Sequence, residues 1–156
     1  MKRYRERAEE IAGVLRGLPG AGQVHARSRV TGRDWQAFVA RFTDGKRVAG
    51  WTVARSSGEQ GGDDGADAYW LDRWTLVRIC GVHDATESEF AFQESLDDAV
   101  VWFRDNPGGL SFGTVVGELK LRVIEERLFG EAVCHVAECG LVVAMDINQL
   151  VGGGAA

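Results

Sequence analysis

The chain has 156 residues, with 18 Lys+Arg against 23 Asp+Glu and a formal net charge of -5. At this length, and with 45% hydrophobic residues, one domain over residues 1–150 is expected to bury its own core, followed by a Gly/Ala tail at 151–156. Wholesale disorder is excluded, because five Trp and seven Phe need burial. The run Gly140 to Met145 falls far short of the ~20 apolar residues of a membrane span, and the start MKRYRERAEE carries no apolar leader stretch. Neither a span nor a secretory leader is therefore expected, and an acidic balance argues against wrapping duplex DNA.

The elements follow from spacing. Tyr4, Ala8, Ile11, Leu15 and Leu18 recur at three- and four-residue steps and predict a helix over 3–17, stopped by Gly17, Pro19 and Gly20. Gln23 to Val30 alternates weakly and reads as a short strand. Trp35, Phe38, Val39 and Phe42 keep helical spacing, although a bulged strand also fits. Asp44-Gly45 is a turn signal. Lys46 to Arg55 reads as a strand. Residues 56–68, SSGEQGGDDGADA, have no large apolar side chain and are expected to be a flexible loop.

From Tyr69 to Val82 a second strand carries apolar residues on both faces, so it is expected to be central. Thr86 to Glu89 fits a capping box, and Phe92, Leu96, Ala99, Val100 and Phe103 form the buried stripe of a helix ending before Asn106-Pro107-Gly108. Residues 110–117 are turn-rich and undecided. Residues 118–128 alternate charged and apolar, 133–147 form a long strand, and Phe129-Gly130 turns between them. The fold class is α+β: an antiparallel or mixed sheet of four to five strands with two to three helices packed on it.

Residues suited to chemistry are scattered. An odd count of three cysteines, Cys80, Cys134 and Cys139, points to free thiols rather than a disulfide frame. Cys134-His135 and Cys139 lack the second ligand pair of a structural zinc site, and in a strand 134 and 139 face opposite ways. His83, Asp84 and Ser88 share one linker without a nucleophile elbow. The carboxylate pairs Asp63-Asp64, Asp97-Asp98 and Glu125-Glu126 read as solvated surface. The glycines lack the strand and helix that flank a dinucleotide fingerprint. No catalytic residue, metal or cofactor is therefore expected. His25, His83 and His135 carry no assigned role.

A chain without a convergent site but with a Trp-rich first half points to assembly, since aromatics anchor interfaces as well as cores. Residues 56–68 stretch to ~45 Å when fully extended, enough to reach a neighbouring subunit. The expected subunit or partner interface comprises Arg55, Glu59, Asp63, Asp64 and Trp70.

The order of elements resembles that of the tail terminator proteins of long-tailed bacteriophages and related gene transfer agents. The similar stretches are Val48-Ala-Gly-Trp-Thr-Val53, Trp74-Thr-Leu-Val-Arg-Ile79 with its acidic linker, Glu89-Phe-Ala-Phe92, and Ile124 to His135 with Leu128-Phe-Gly130 between strands. The likeness covers roughly 3–147 as a pattern of elements.

It implies a homo-oligomeric, hexameric ring in the virion tail or neck, assembled in the host cytoplasm. The ring would cap the tail tube protein, stop its polymerisation and meet the head-neck connector proteins. Genome DNA would pass through the lumen without specific binding, and no membrane would be involved. Six copies carry about -30 (six times -5), and like charge lets a duplex slide. Two other readings are a small acidic adaptor or immunity-type binder, and an enzyme using His83 or His135 as base. Deleting 58–66 is expected to leave the monomer folded. Phe92→Ala or Leu96→Ala is expected to cost about 2–5 kcal/mol, read as a lower denaturation midpoint; an unchanged midpoint would mean that the helix buries another face.

Overall fold

The computed structural model describes residues 2–26, 35–44, 47–62, 68–84 and 86–146. Among these residues three helices and seven strands follow in the order α1 (Tyr4–Arg16), β1 (Gln23–His25), α2 (Trp35–Phe42), β2 (Thr43–Asp44), β3 (Arg47–Gly61), β4 (Tyr69–Gly81), α3 (Glu87–Asp105), β5 (Thr114–Val115), β6 (Lys120–Phe129) and β7 (Ala132–Asp146). The fold is α+β. The strand number exceeds the four to five expected because β2 and β5, at two residues each, are too short to declare themselves by alternation.

The sheet is built on two long strands. β4 pairs antiparallel with β3 on one side and with β7 on the other, as a doubly apolar strand should. β1 joins β3 in parallel, opposite Gly50–Thr52, and β2 folds back on Arg47 and Val48. At the opposite margin β5 and β6 lie end to end along β7. The sheet is therefore mixed, with one parallel pair.

One face carries the main core. α1 buries Ala8, Ile11, Ala12 and Leu15, and α3 buries Phe92, Leu96, Ala99 and Phe103, against Trp51, Val53, Trp74, Leu76, Cys139 and Leu141. These are the stripes that the helical spacing predicts. The opposite face holds a smaller cluster of Phe42, Ile79, Phe129, Cys134 and Val136, so the helices are not confined to one side. Gly22 marks a tight approach: its φ is +71°, and a Cβ there would overlap the Ala49 carbonyl.

A buried ion network ties α1 to the sheet. The Asp72 side chain is fully buried, with Arg7 Nε at 3.2 Å and Arg55 Nη1 at 3.5 Å. Trp70 Nε1 donates to its Oδ1 at 2.8 Å. Tyr4 stacks on Trp74 with centroids 5.7 Å apart and lies under the Arg55 guanidinium. Farther along α1, Glu10 accepts from the Ser111 backbone N–H at 2.6 Å and from Lys2 Nζ at 2.9 Å. Partial burial pushes the Glu10 pKa up, but these hydrogen bonds outweigh it and hold it below the usual carboxylate value.

Two expectations are corrected. Residues 56–68 are not one flexible loop, because Ser56–Gly61 continue β3, and Ser57–Gly61 pair with Tyr69–Arg73 past a bulge at Ser56. The ladder with β4 orders a segment whose own residues do not favour a strand. Residues 63–67, and with them Asp63 and Asp64, lie outside the described residues. The capping box at Thr86 is not formed; Asp84 Oδ1 instead accepts from the Thr86 and Glu87 N–H groups at 3.1 and 2.9 Å. Asp84 is the better cap because its carboxylate also meets the positive end of the helix.

Among the described residues no helix is long and apolar enough to cross a membrane. Asp72→Ala leaves the buried Arg7 guanidinium without its carboxylate and is expected to cost about 3–5 kcal/mol, measured by denaturant unfolding; a change under about 1 kcal/mol would mean that Arg7 finds another partner. Deleting 58–66 is now expected to lower stability, because it removes ladder pairs from β3.

Candidate functional site

Three of the five residues expected at an interface are described, and the fold engages each of them internally. Arg55 and Trp70 converge on Asp72 on the helix-covered face. Glu59 lies on the other face, where Arg73 Nη2 donates to it at 2.8 Å. Trp70 covers Gly58, where a Cβ would strike its ring. The group thus splits between two faces and forms no single patch.

The histidines separate as well. His25 Nε2 lies 2.8 Å from the Arg41 carbonyl oxygen, with its ring edge-on to Phe42. His83 is exposed on the turn after β4. His135 is buried, stacked on Phe92 with centroids 5.3 Å apart.

A cleft of about 400 Å³ opens between the start of α3 and the ends of β3 and β4, lined in part by Arg47, Arg78, Cys80, His83, Ser88 and Asp98. Arg78 forms its inner wall and is 3% exposed. Its guanidinium donates to Ser95 Oγ at 3.1 Å and to the Ala21 and Gly20 carbonyls at 2.6 Å each, and lies over the Trp51 ring. Burial lowers its pKa. This fork staples the connection between α1 and β1 to the sheet, with donors spent on backbone oxygens and on the Ser95 hydroxyl.

Ser88 and His135 face each other beside the cleft, Oγ to Nε2 at 3.3 Å, and Glu126 Oε1 stands 4.0 Å from His135 Nδ1. The order Ser–His–Glu has the outline of a nucleophile triad, and neighbour spacing in the sequence gave no hint of it. The Ser88 hydroxyl also donates to the Asp84 carbonyl, and whether Ser88 Oγ or His135 Nε2 donates across the pair follows the histidine tautomer. In this arrangement the pair fastens the first turn of α3 to β7.

The cysteines are free. Cys139 lies in the main core and Cys134 in the cluster on the opposite face, as their spacing predicts. Burial pushes their pKa values up to about 12 and about 11. Among the described residues no group of three or more His, Cys, Asp or Glu side chains is placed to hold a metal ion.

The most conspicuous surface is β6. Every residue from Lys120 to Leu128 is exposed, although the strand carries Leu121, Val123, Ile124 and Leu128, the last 65% exposed. Val133 on β7, directly opposite Leu128, is 44% exposed. Among the described residues β6 pairs only with β7, and β3 between Val53 and Glu59 pairs only with β4. Among the described residues both sheet margins thus lack a further strand partner, and an exposed apolar edge such as β6 is a template for another strand. The charged–apolar alternation of 118–128 signalled a half-buried strand. Nothing in it signalled that both faces stay uncovered.

Comparison with models of known protein families finds no match, and none of the curated proteins matches the chain. Raised thiol pKa values keep Cys134 and Cys139 protonated at neutral pH while the unfolded chain ionises near pH 9. Their contribution to stability is therefore full below that pH and lost as pH rises toward 12. Alkylation of the native protein at pH 8 is expected to label Cys80, on the cleft, well before Cys134 and Cys139; equal rates for all three would show that the cores open.

Proposed function

We propose that this chain is a structural assembly subunit that works by docking to copies of itself, in the manner of the phage tail terminators it resembles. In that role a closed ring caps a tail tube, stops its growth and presents a surface to the head-neck connector, and it resides in the virion. The observation that carries the reading is β6, a ten-residue strand exposed on both faces from Lys120 to Leu128 and carrying four exposed large apolar side chains there. Exposed apolar strands of this kind are a hazard in a monomer and an asset in an oligomer.

The charge balance supports it. A ring of six copies carries about -30 (six times -5), and an acidic wall would not grip passing phosphates. Engagement of Arg55, Glu59 and Trp70 within the subunit moves the expected contact from those side chains to the strand edges beside them.

Solution mass is the test. Light scattering over a concentration series, with negative-stain images at the top of the series, is expected to show a closed ring of uniform size. A chain that stays monomeric at every concentration and binds a basic protein one to one would replace this reading with that of an acidic adaptor.

A further inference from the structure

We infer that the ring closes by strand addition, with β6 of one copy extending the sheet of the next at the Val53–Glu59 edge of β3; the inference rests on the assembly reading above. The occupant of each edge is thus a second copy of this chain. Four observations point to it.

The first is polarity. β3, β4, β7 and β6 alternate in direction across the sheet, so β3 and β6 run opposite ways at the two margins. A copy rotated about an axis along the sheet brings them together antiparallel, the favourable pairing for neighbouring strands.

The second is register. Placing Leu128 opposite the neighbour's Val53 sets Glu126 opposite Arg55. Letting the Ser56 bulge pass unpaired then sets Glu125 opposite Ser57, Ile124 opposite Gly58 and Val123 opposite Glu59. Face by face the match holds. Within the subunit Ile124, Glu126 and Leu128 lie on the same sheet face as Ala137, His135 and Val133, and Val53, Arg55 and Gly58 on that of Leu76, Trp74 and Asp72. Both sets belong to the helix-covered face, because β4 and β7 join them in register.

The third is charge. Arg55 is 35% exposed at its side chain and shares Asp72 with Arg7, so it has room for a second carboxylate. Glu126 is 64% exposed. Opposite charges across a strand pair favour this register over others.

The fourth is geometry. Within one sheet Glu126 stands level with His135, Cys80 and Ala49 in turn. Pairing it with Arg55 of the next copy shifts the neighbour by six residues along β3, ~20 Å at ~3.3 Å per residue. Four strand spacings of ~4.8 Å separate equivalent strands, ~19 Å. The strands then tilt by ~45° to the ring axis, at the upper end of the ~35–45° of closed sheets. A stagger of this size lets the chain close into a ring without climbing into a helix.

Site-specific cross-linking tests the pairing. In a Cys80→Ser background, Ser57→Cys and Glu125→Cys proteins are mixed, assembled and mildly oxidised. Directly opposed antiparallel residues have Cα atoms ~4.5–5.5 Å apart, within disulfide range. The expected product is a disulfide between a Ser57→Cys copy and a Glu125→Cys copy as the majority species, with little from either protein alone. Glu126→Arg, whose side chain is mostly solvated, is expected to raise the concentration needed for assembly about tenfold.

Rings that form without the 57–125 disulfide, and at unchanged concentration in Glu126→Arg, would overturn the pairing and leave the assembly reading standing. Efficient cross-linking of Glu125→Cys to itself would overturn it in favour of β6 pairing with β6. A protein monomeric at all concentrations would remove both.

Discussion

Asp72 is the point on which the architecture turns. A carboxylate with no solvent exposure, in the middle strand of a sheet, is tolerable only with opposite charge and donors around it. Arg7 comes from the first helix, Arg55 from the neighbouring strand and the indole N–H from Trp70 two residues earlier. Each partner also holds something else in place. Arg7 fixes the start of α1, Arg55 carries Tyr4 beneath it, and Trp70 lies over Gly58 past the bulge. A purely apolar cluster would hold these elements together with less geometric demand. The ionic one sets Arg7 Nε 3.2 Å from Asp72 Oδ2 inside a packed wall, while Nη1 of the same guanidinium donates to the Lys2 carbonyl.

Arg78 does a parallel task at the other end of the same strand. It reaches the carbonyl oxygens of Gly20 and Ala21, between α1 and β1. The two buried charges of opposite sign on β4 therefore anchor the two ends of the segment that runs from α1 into β1. Loss of solvent is the largest influence on the Arg78 pKa and lowers it, a mark of how far inside the fold this cation has been carried.

Much of the fold was legible in the sequence, and the boundary of legibility has a physical form. Helix α3 was readable because Phe92, Leu96, Ala99 and Phe103 sit at steps that only a helix brings to one side. Strand β4 was readable because apolar residues fill both of its faces. Ser56 to Gly61 was misread because nothing local makes it a strand; its order comes from Tyr69 to Arg73 across the ladder. Asp72 and Arg78 were invisible as anchors, since a charge inside a strand ordinarily marks the solvent side. The approach of Ser88 to His135 depends on a helix start and a strand that meet only in three dimensions. The exposed apolar faces of β6 were hidden for the opposite reason: alternation says which residues share a side, not whether anything covers it.

The Arg7–Asp72 contact spans 65 positions of the chain, and this bears on synthesis. The first helix leaves the ribosome early, yet its docking partner is not made until the hairpin of β3 and β4 has emerged. Until then a short amphipathic segment rich in arginine waits in water with nothing to lean on, and isolated helices of 13 residues are marginal there. The α1 segment therefore docks only once β4 has been made, and it is the stretch on which a holding chaperone would have most time to act.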